Sequence, residues 1–390
     1  MKKYKKPSKD FYAQFENILK TEITLQKFEI LEVAIPQVES FRSAVGVRNE
    51  RLALIVKWTD ENGNFGIGES SCRPDPFFNN EFVNGSILIL KDYVFPLLEK
   101  KESVKSVLEK CKKMRGWNFT VSAVIDAVLD LIRKRDGNDF YSKYETERTE
   151  KVPVGISLGL YKTEEKAVER VGRAISAGFK RVKLKISPKM NVRTLEAIRE
   201  EFPNLKMGFD ANGSFQEVDE NIFQKLVNLN PVTIEQPFPP TRVDLGAELK
   251  TLIPATNVCL DESITGIGEL ISAYKCSALD EVNVKPGRVG GQFYTVEILE
   301  FCKINSLPAW IGGMFESGIG RTNNLRVASM LPNALAHDLS PSNRYFVSDI
   351  VKNPIEMSSE GLIDVPKDFE AEIEDAIVEQ FLQQRIVLEK

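Results

Sequence analysis

VKLKI (residues 182–186), MGFDAN (207–212), VTIEQ (232–236), VCLDE (258–262) and VNVKPG (282–287) share one alternation. Successive side chains of a strand point to opposite faces. Val182, Leu184 and Ile186 therefore share one face, and Lys183 and Lys185 the other. In the same way Met207 and Phe209 oppose Gly208, Asp210 and Asn212, and Val232 and Ile234 oppose Thr233 and Glu235. Val258 and Leu260 oppose Cys259 and Asp261, and Val282 and Val284 oppose Asn283 and Lys285. Each segment sends apolar side chains one way and places a charged residue on the other face at its C-terminal end.

The segments recur with a fixed period. Strands begin near Val182, Met207, Val232, Val258 and Val282, with further candidates near Pro308 and Ala334, at intervals of 25, 25, 26, 24, 26 and 26 residues. The stretches between them read as helices. In TEEKAVERVGRAISAG, Val168, Val171, Ala174 and Ile175 fall on one face, Thr163 is a candidate N-cap and Gly178 a candidate stop. VPVGISLGL, from Val152, supplies a first strand, which makes eight. Regular alternation of strand and helix implies a parallel sheet, and eight units over about 185 residues imply a closed TIM-type barrel. An open doubly wound sheet is the alternative, but no GxGxxG follows a first strand. The fold class is α/β, with the barrel over 151–339.

N-terminal to the barrel, KFEILEVAIP and RLALIVKWTD read as strands, and DENGNFGIGE holds a turn. TVSAVIDAVLDLIRKRDG reads as a helix with Gly137 as its stop. Residues 1–150 are thus expected to form an α+β unit. The basic start, MKKYKKPSKDFYAQ, is expected to be a solvated tail or an extra edge of that unit, and it lacks the apolar stretch of a secretory signal.

Composition excludes several functions. Lys plus Arg is 52 and Asp plus Glu is 56, a net charge of −4, which argues against a nucleic-acid binder. No apolar run is long enough for a transmembrane helix, so no membrane partner is expected. The five cysteines are odd in number and widely spaced, without a CxxC, which fits a reducing cytoplasm and core-filling roles. Cys72 alone falls in a loop that could approach the site. A single histidine, His337, leaves the chemistry to carboxylates, lysines, hydroxyls or thiols, with His337 itself structural or at the mouth.

Active sites of such barrels sit at the C-terminal ends of the strands. Asp210, Glu235 and Asp261 come from adjacent strands and would repel one another without a cation. Oxygen ligands alone point to a hard ion, Mg²⁺ first and Mn²⁺ second. Lys185 and Lys285 come from the second and sixth strands and should face each other across the mouth. Burial, a metal and the neighbouring Lys183 would each lower a lysine pKa toward that of a base. A small-molecule carboxylate on the metal would place its α-proton between the two amines. Singly, each motif has a plainer reading: KxK is commonly a solvated strand face, and LDES could start a helix at Ser263. Five charges in phase, one per strand, are hard to obtain as surface decoration.

Lys183-x-Lys185, Asp210-Ala-Asn212, Glu235-Gln-Pro, Asp261-Glu262-Ser and Lys285 resemble the enolase superfamily, in its muconate-lactonizing-enzyme-like subgroup; lysine-plus-Mg²⁺ chemistry of this kind is a general feature of that superfamily. Gly66-Ile67-Gly68-Glu69 and a helix with Ala123, Asp126, Ala127 and Asp130 also look familial. VNVKPGRVGG and WIGGMFESGIGR are similar to the o-succinylbenzoate synthase / N-succinylamino acid racemase family. The resemblance implies a modified (β/α)₇β barrel, a capping domain over 1–150 with an extension over 1–26, and a C-terminal segment, 340–390, returning to the cap. It implies Lys185 and Lys285 as the catalytic pair, Asp210, Glu235 and Asp261 as metal ligands, and Lys183, Glu262, Asn212 and Arg288 in support. Ser157, Gly313, Met314 and Ser317 are the implied substrate contacts, and the loops at 36–50 and 71–86 the implied seat of specificity.

The implied reaction is the syn-dehydration of 2-succinyl-6-hydroxy-2,4-cyclohexadiene-1-carboxylate in menaquinone biosynthesis. N-acylamino acid racemisation is the alternative, supported by Arg288 three residues after Lys285, and muconate cycloisomerisation a further one. Mandelate-racemase-like chemistry would need an Asp partner for His337, and a dipeptide epimerase a DxD where this chain reads HDLSP. A non-catalytic barrel would be expected to have lost one of the five charges. The family also allows a homo-oligomer.

Overall fold

The structure is a computed structural model that describes residues 2–43, 46–144, 147–159, 161, 163–366 and 370–390, with side chains for all of these except 40–43 and 46–48. Seven parallel strands lie in chain order: Gly155–Leu158, Arg181–Lys185, Met207–Asp210, Thr233–Glu235, Asn257–Leu260, Glu281–Val284 and Ala309–Ile311. The ring closes at His337 and Asp338. His337 bridges Val154 in parallel, Gly155 N–H donates to the His337 carbonyl at 2.8 Å, and Asp338 N–H donates to the Ile311 carbonyl at 3.0 Å. The strand expected near Ala334 is thus only this short link, because residues 331–336 turn after Leu331-Pro332 rather than extend. The expected first strand also divides. Lys151–Pro153 pairs antiparallel with Leu362–Asp364, and Val154 N–H goes to the Gly361 carbonyl, so only Gly155–Leu158 enters the barrel.

Helices cover the outside. Glu164–Ser176 starts where the Thr163 side chain accepts from Lys166 N–H, and Asn191 and Asp219 cap the next starts at Val192 and Glu220 in the same way. The outward apolar residues read from the sequence, among them Val182, Leu184, Met207, Phe209 and Ile234, are buried under these helices. No helix begins at Ser263. Its hydroxyl accepts from Gln236 Nε2 at 2.8 Å, and the following helix is Ile267–Lys275.

A four-stranded antiparallel sheet caps the barrel, in the order Leu382–Glu389, Lys27–Ser43, Gly46–Thr59 and Phe65–Ser70. The helix Asn118–Asp136 lies on it and stops at Gly137, φ 65°. The GIGE glycines explain the closeness of that contact. A Cβ at Gly66 would lie 2.0 Å from the Ala127 carbonyl oxygen, and one at Gly68 2.1 Å from that of Ala123. The strand therefore rests directly on helix backbone, which cannot move aside as a side chain could. Gly68→Ala is expected to destabilise the fold by about 1–3 kcal/mol or more, read as a lower urea midpoint. An unchanged midpoint would contradict this packing.

Residues before 27 are structured. Lys9–Ala13 and Glu16–Lys20 are short helices, and Glu22–Thr24 pairs with Lys101–Ser103. Phe11, Phe15 and Ile18 are buried, with Phe15 stacked on Phe140 at 5.0 Å and edge-on to Phe293 at 5.6 Å. Lys2 N–H donates to the Lys275 carbonyl, and Lys5 N–H to Asn305 Oδ1. Among the described residues no helix is long and apolar enough to cross a membrane.

Candidate active site

Parallel register brings the predicted residues together. Lys185 lies opposite Asp210, and Asp210 opposite Glu235. Asp261 and Lys285 follow directly on the strands Asn257–Leu260 and Glu281–Val284. A cleft of about 530 Å³ opens over them. Lys183, Lys185, Asp210, Asn212, Glu262 and Lys285 line it on the barrel side, together with Ser157, Gly313 and Met314. Glu235 and Asp261 are buried beneath.

Each carboxylate is bound to cations. Lys183 Nζ lies 2.8 Å from Glu235 Oε2, 2.7 Å from Asp338 Oδ2 and 3.5 Å from Asp210 Oδ2. Lys185 Nζ is 2.8 Å from Asp210 Oδ2 and also donates to Asn212 Oδ1. Lys285 Nζ is 2.8 Å from Asp261 Oδ2, whose other oxygen takes Arg288 Nη1. Asn283 Nδ2 donates to Glu235 Oε1 at 2.9 Å.

The charges follow from these contacts. Burial opposes a charge on Lys183, but Asp338, Glu235 and Asp210 outweigh it and push its pKa well up. Lys183 is therefore a permanent cation. Burial also works to raise Asp261, yet Arg288 and Lys285 hold it well below the usual carboxylate range. Glu235 behaves oppositely: burial, then Asp210, pushes it up to about 8. The cluster is short of positive charge at Glu235. Among the described residues no three His, Cys, Asp or Glu side chains stand close enough together to form a metal-binding group; the oxygens of Asp210, Glu235 and Asp261 are taken by Lys183, Lys185, Lys285, Arg288, Asn283 and the Asn212 N–H.

The other expected residues divide. Ser317 does not line the cleft. It is fully buried, caps the helix Gly318–Ala328, and donates to Glu69 Oε2 at 2.6 Å. Arg288 is a buried ligand of Asp261, with Nε on the Ile264 carbonyl at 2.8 Å and Nη2 on the Asn283 carbonyl at 2.7 Å. Glu262 accepts from Asn212 Nδ2 at 2.7 Å. Cys72 is buried against Ser86 and lines no part of the cleft. Cys276 is exposed at a helix end, whereas the other four cysteines are buried. His337 is buried and structural: Nδ1 accepts from Ile311 N–H at 3.0 Å, and burial, with Arg181 nearby, holds its pKa down to about 3. Of the two capping loops, 36–43 and 46–50 are arms of paired strands, and residues 44–45 lie outside the described residues. The 71–86 stretch places Phe78 over Lys285, 5.4 Å from ring centre to Nζ.

Two residues were missed. Arg181 shares the inner face of its strand with Lys183 and Lys185, and the period-two pattern of RVKLK, read from 181 instead of 182, would have shown it. It lies 2.8 Å from Asp338 Oδ1 and stacks over Trp310 at 4.1 Å. Asp338 also accepts from Ser157 Oγ at 3.0 Å.

Residues 166–369 match the family model described as Enolase C-terminal domain-like. An o-succinylbenzoate synthase from Enterococcus faecalis is 33% identical over 354 residues, 88% of this chain and 94% of that protein. An N-succinylamino acid racemase from Amycolatopsis is 32% identical over 331 residues, 84% and 89% of the two chains. The crystal structure of an enolase-superfamily member from Listeria innocua superposes with a TM-score of 0.87 at 28% identity, covering 94% of this chain and 99% of that one. Fold and site thus define an enolase-type enzyme. The chain belongs to the enolase superfamily, to its muconate-lactonizing-enzyme-like subgroup, and there to the o-succinylbenzoate synthase / N-succinylamino acid racemase family.

Proposed function

We propose that the protein is an o-succinylbenzoate synthase that removes water, on one face, from 2-succinyl-6-hydroxy-2,4-cyclohexadiene-1-carboxylate, the step used in menaquinone biosynthesis. The observation that carries this reading is the pair Lys185 and Lys285, four strands apart in the ring and lining one cleft. Lys185 takes the α-proton of the substrate. It then returns a proton to the departing hydroxyl on the same face, so acid and base are one group. Lys285 stays cationic and offsets the negative charge that develops when the α-proton leaves. Lys183, fixed as a cation among three carboxylates, cannot serve as the base. Incubation with the cyclohexadiene substrate and Mg²⁺ should give the aromatic product, and its absence would refute the reading.

Asp210, Glu235 and Asp261 would hold a divalent cation, Mg²⁺ or secondarily Mn²⁺. The donors are all oxygen, which suits a hard ion, and the raised Glu235 marks where positive charge is lacking. A cation bound there would stabilise charge on the substrate carboxylate. Saturating Mg²⁺ should raise the melting temperature, since a ligand at 100 times its Kd stabilises by about 2.7 kcal/mol. Asp261→Asn should lose most of that rise, and an equal rise in both proteins would remove Asp261 from the ligand set.

N-succinylamino acid racemisation is the second reading. It is favoured by the access of Lys285 to the cleft and by Arg288, which shares Asp261 with it. Here each lysine exchanges a proton on its own face.

A further inference from the structure

The capping loop 73–82 lines the cleft with Phe77 and Phe78 and sets the Phe78 ring over Lys285. Its two ends meet, since Val83 N–H donates to the Arg73 carbonyl at 3.0 Å and Arg73 bridges Phe82. The far end is tied to the start of the helix Asn118–Asp136. Trp117, just before that helix, supplies no side-chain cap, and the first N–H groups of a helix have no acceptor within it. Glu81, 1% exposed, accepts them instead. Phe119 N–H donates to Oε1 at 2.9 Å, and Thr120 N–H and Oγ1 each donate to Oε2 at 2.8 Å. Asn80 Nδ2 adds a bond to the Gly116 carbonyl at 2.8 Å.

The same helix start holds the segment that carries Lys285. Asn118 Nδ2 donates to the Arg288 carbonyl at 2.8 Å and to the Thr265 carbonyl at 2.9 Å. A Cβ at Gly287 would stand 2.6 Å from Ser71 Oγ and 2.8 Å from Phe119 Cδ1, so the chain after Lys285 rests directly on this turn. One turn of helix thus fixes both the lysine's segment and the loop above it. An aromatic face attracts an ammonium and keeps water from that side of it. A carboxylate at a helix N-terminus is favourably placed. Burial pushes Glu81 up to about 7 against the pull of its donors, so it is mostly charged at about pH 8.

We infer that Glu81, with Asn80 beside it, is a positioning residue: it joins the loop 73–82 to the helix that also holds the Lys285 segment, and so keeps the Phe78 ring on Lys285 and its amine aimed and shielded from water. This rests on the proposed reading, in which Lys285 acts at the α-carbon. A carboxylate that only capped the helix would affect stability and would treat Lys185 and Lys285 alike. Glu81 acts on Lys285 alone, because Lys185 lies on the other side of the cleft, against Asp210 and Asn212.

The test compares the full-length, Mg²⁺-loaded protein with Glu81→Gln, Phe78→Ala and the double variant at about pH 8. One readout is acetylation of Lys285 relative to Lys185 by acetic anhydride, mapped by mass spectrometry. The other is α-proton exchange of each N-succinylphenylalanine enantiomer in D₂O, the Lys285 face being the one that Lys285→Arg silences. Each single variant should raise relative Lys285 acetylation about fivefold, the scale of one cation–π contact. Each should slow exchange at the Lys285 face, relative to the Lys185 face, by a similar factor. The double variant should match the single ones, since contacts that act through one another are not additive. Asn80→Ala, which cuts the tie to Gly116, should move both ratios the same way and keeps the test open should Glu81→Gln not fold. Ratios unchanged from the intact protein, or additive effects in the double variant, would overturn the inference and leave Glu81 a helix cap alone. Failure of the catalytic reading looks different: the intact protein would exchange neither enantiomer, while the acetylation ratio would still respond to the variants.

Discussion

Lys185→Ala is expected to lose both dehydration and racemisation, by at least the 10²–10⁴-fold that a positioned base contributes. Lys185 is the lysine of its strand that reaches the cleft with part of its surface exposed, whereas Lys183 is locked among Glu235, Asp338 and Asp210. Lys183 is therefore no substitute base when Lys185 is removed. The substitution also frees Asp210 Oδ2 from its 2.8 Å ion pair, so Mg²⁺ affinity should be retained or rise. Steady-state assays of both reactions, with metal titration alongside, check this. Full synthase turnover in Lys185→Ala would show that the strand Arg181–Lys185 is only scaffold.

Lys285→Arg should separate the two reactions. Arginine keeps a positive charge beside Asp261, so dehydration should survive at a reduced rate. Racemisation should fall below detection, because a guanidinium does not give up a proton near neutral pH. The site already holds one guanidinium on Asp261, that of Arg288, and Phe78 closes over Lys285. The bulkier side chain will therefore also shift substrate position. Following α-proton exchange as well as product separates lost chemistry from lost fit. Equal losses in both reactions would show that Lys285 has the same role in each.

The barrel was legible because its strands are short, regularly spaced and amphipathic: VKLKI, MGFDAN and VCLDE each state their inner and outer faces. The elements that escaped lack such a pattern. The eighth position is His337-Asp338 alone, too short for a period of two, and Asp338 went unread with it although it pins Arg181, Lys183 and Ser157. The basic N-terminal residues could be read as a solvated tail or as an extra edge; they form an extra edge, with Phe11 and Phe15 buried and Glu22–Thr24 paired to Lys101–Ser103. Ser317 shows another limit. Its place in the GGMFESGIGR motif suggested a substrate contact, but a serine before a helix is commonly an N-cap, and Glu69 on the capping sheet takes its hydroxyl.

The influence of Lys183 also runs opposite to a simple count of charges. Two lysines on one strand face suggest mutual repulsion and a lowered pKa. The folded site interposes carboxylates, and their attraction outweighs both burial and the neighbouring cations at Lys183.

The measurement closest to the central claim, that Lys185 and Lys285 address one α-carbon from opposite faces, is exchange of an N-succinylamino acid in D₂O, followed by NMR for each enantiomer separately. The intact protein should place deuterium at Cα in both enantiomers. Lys185→Ala and Lys285→Arg should each retain exchange of only one enantiomer, and not the same one. Exchange of the same enantiomer by both variants, or of both enantiomers by either, would contradict the two-faced site.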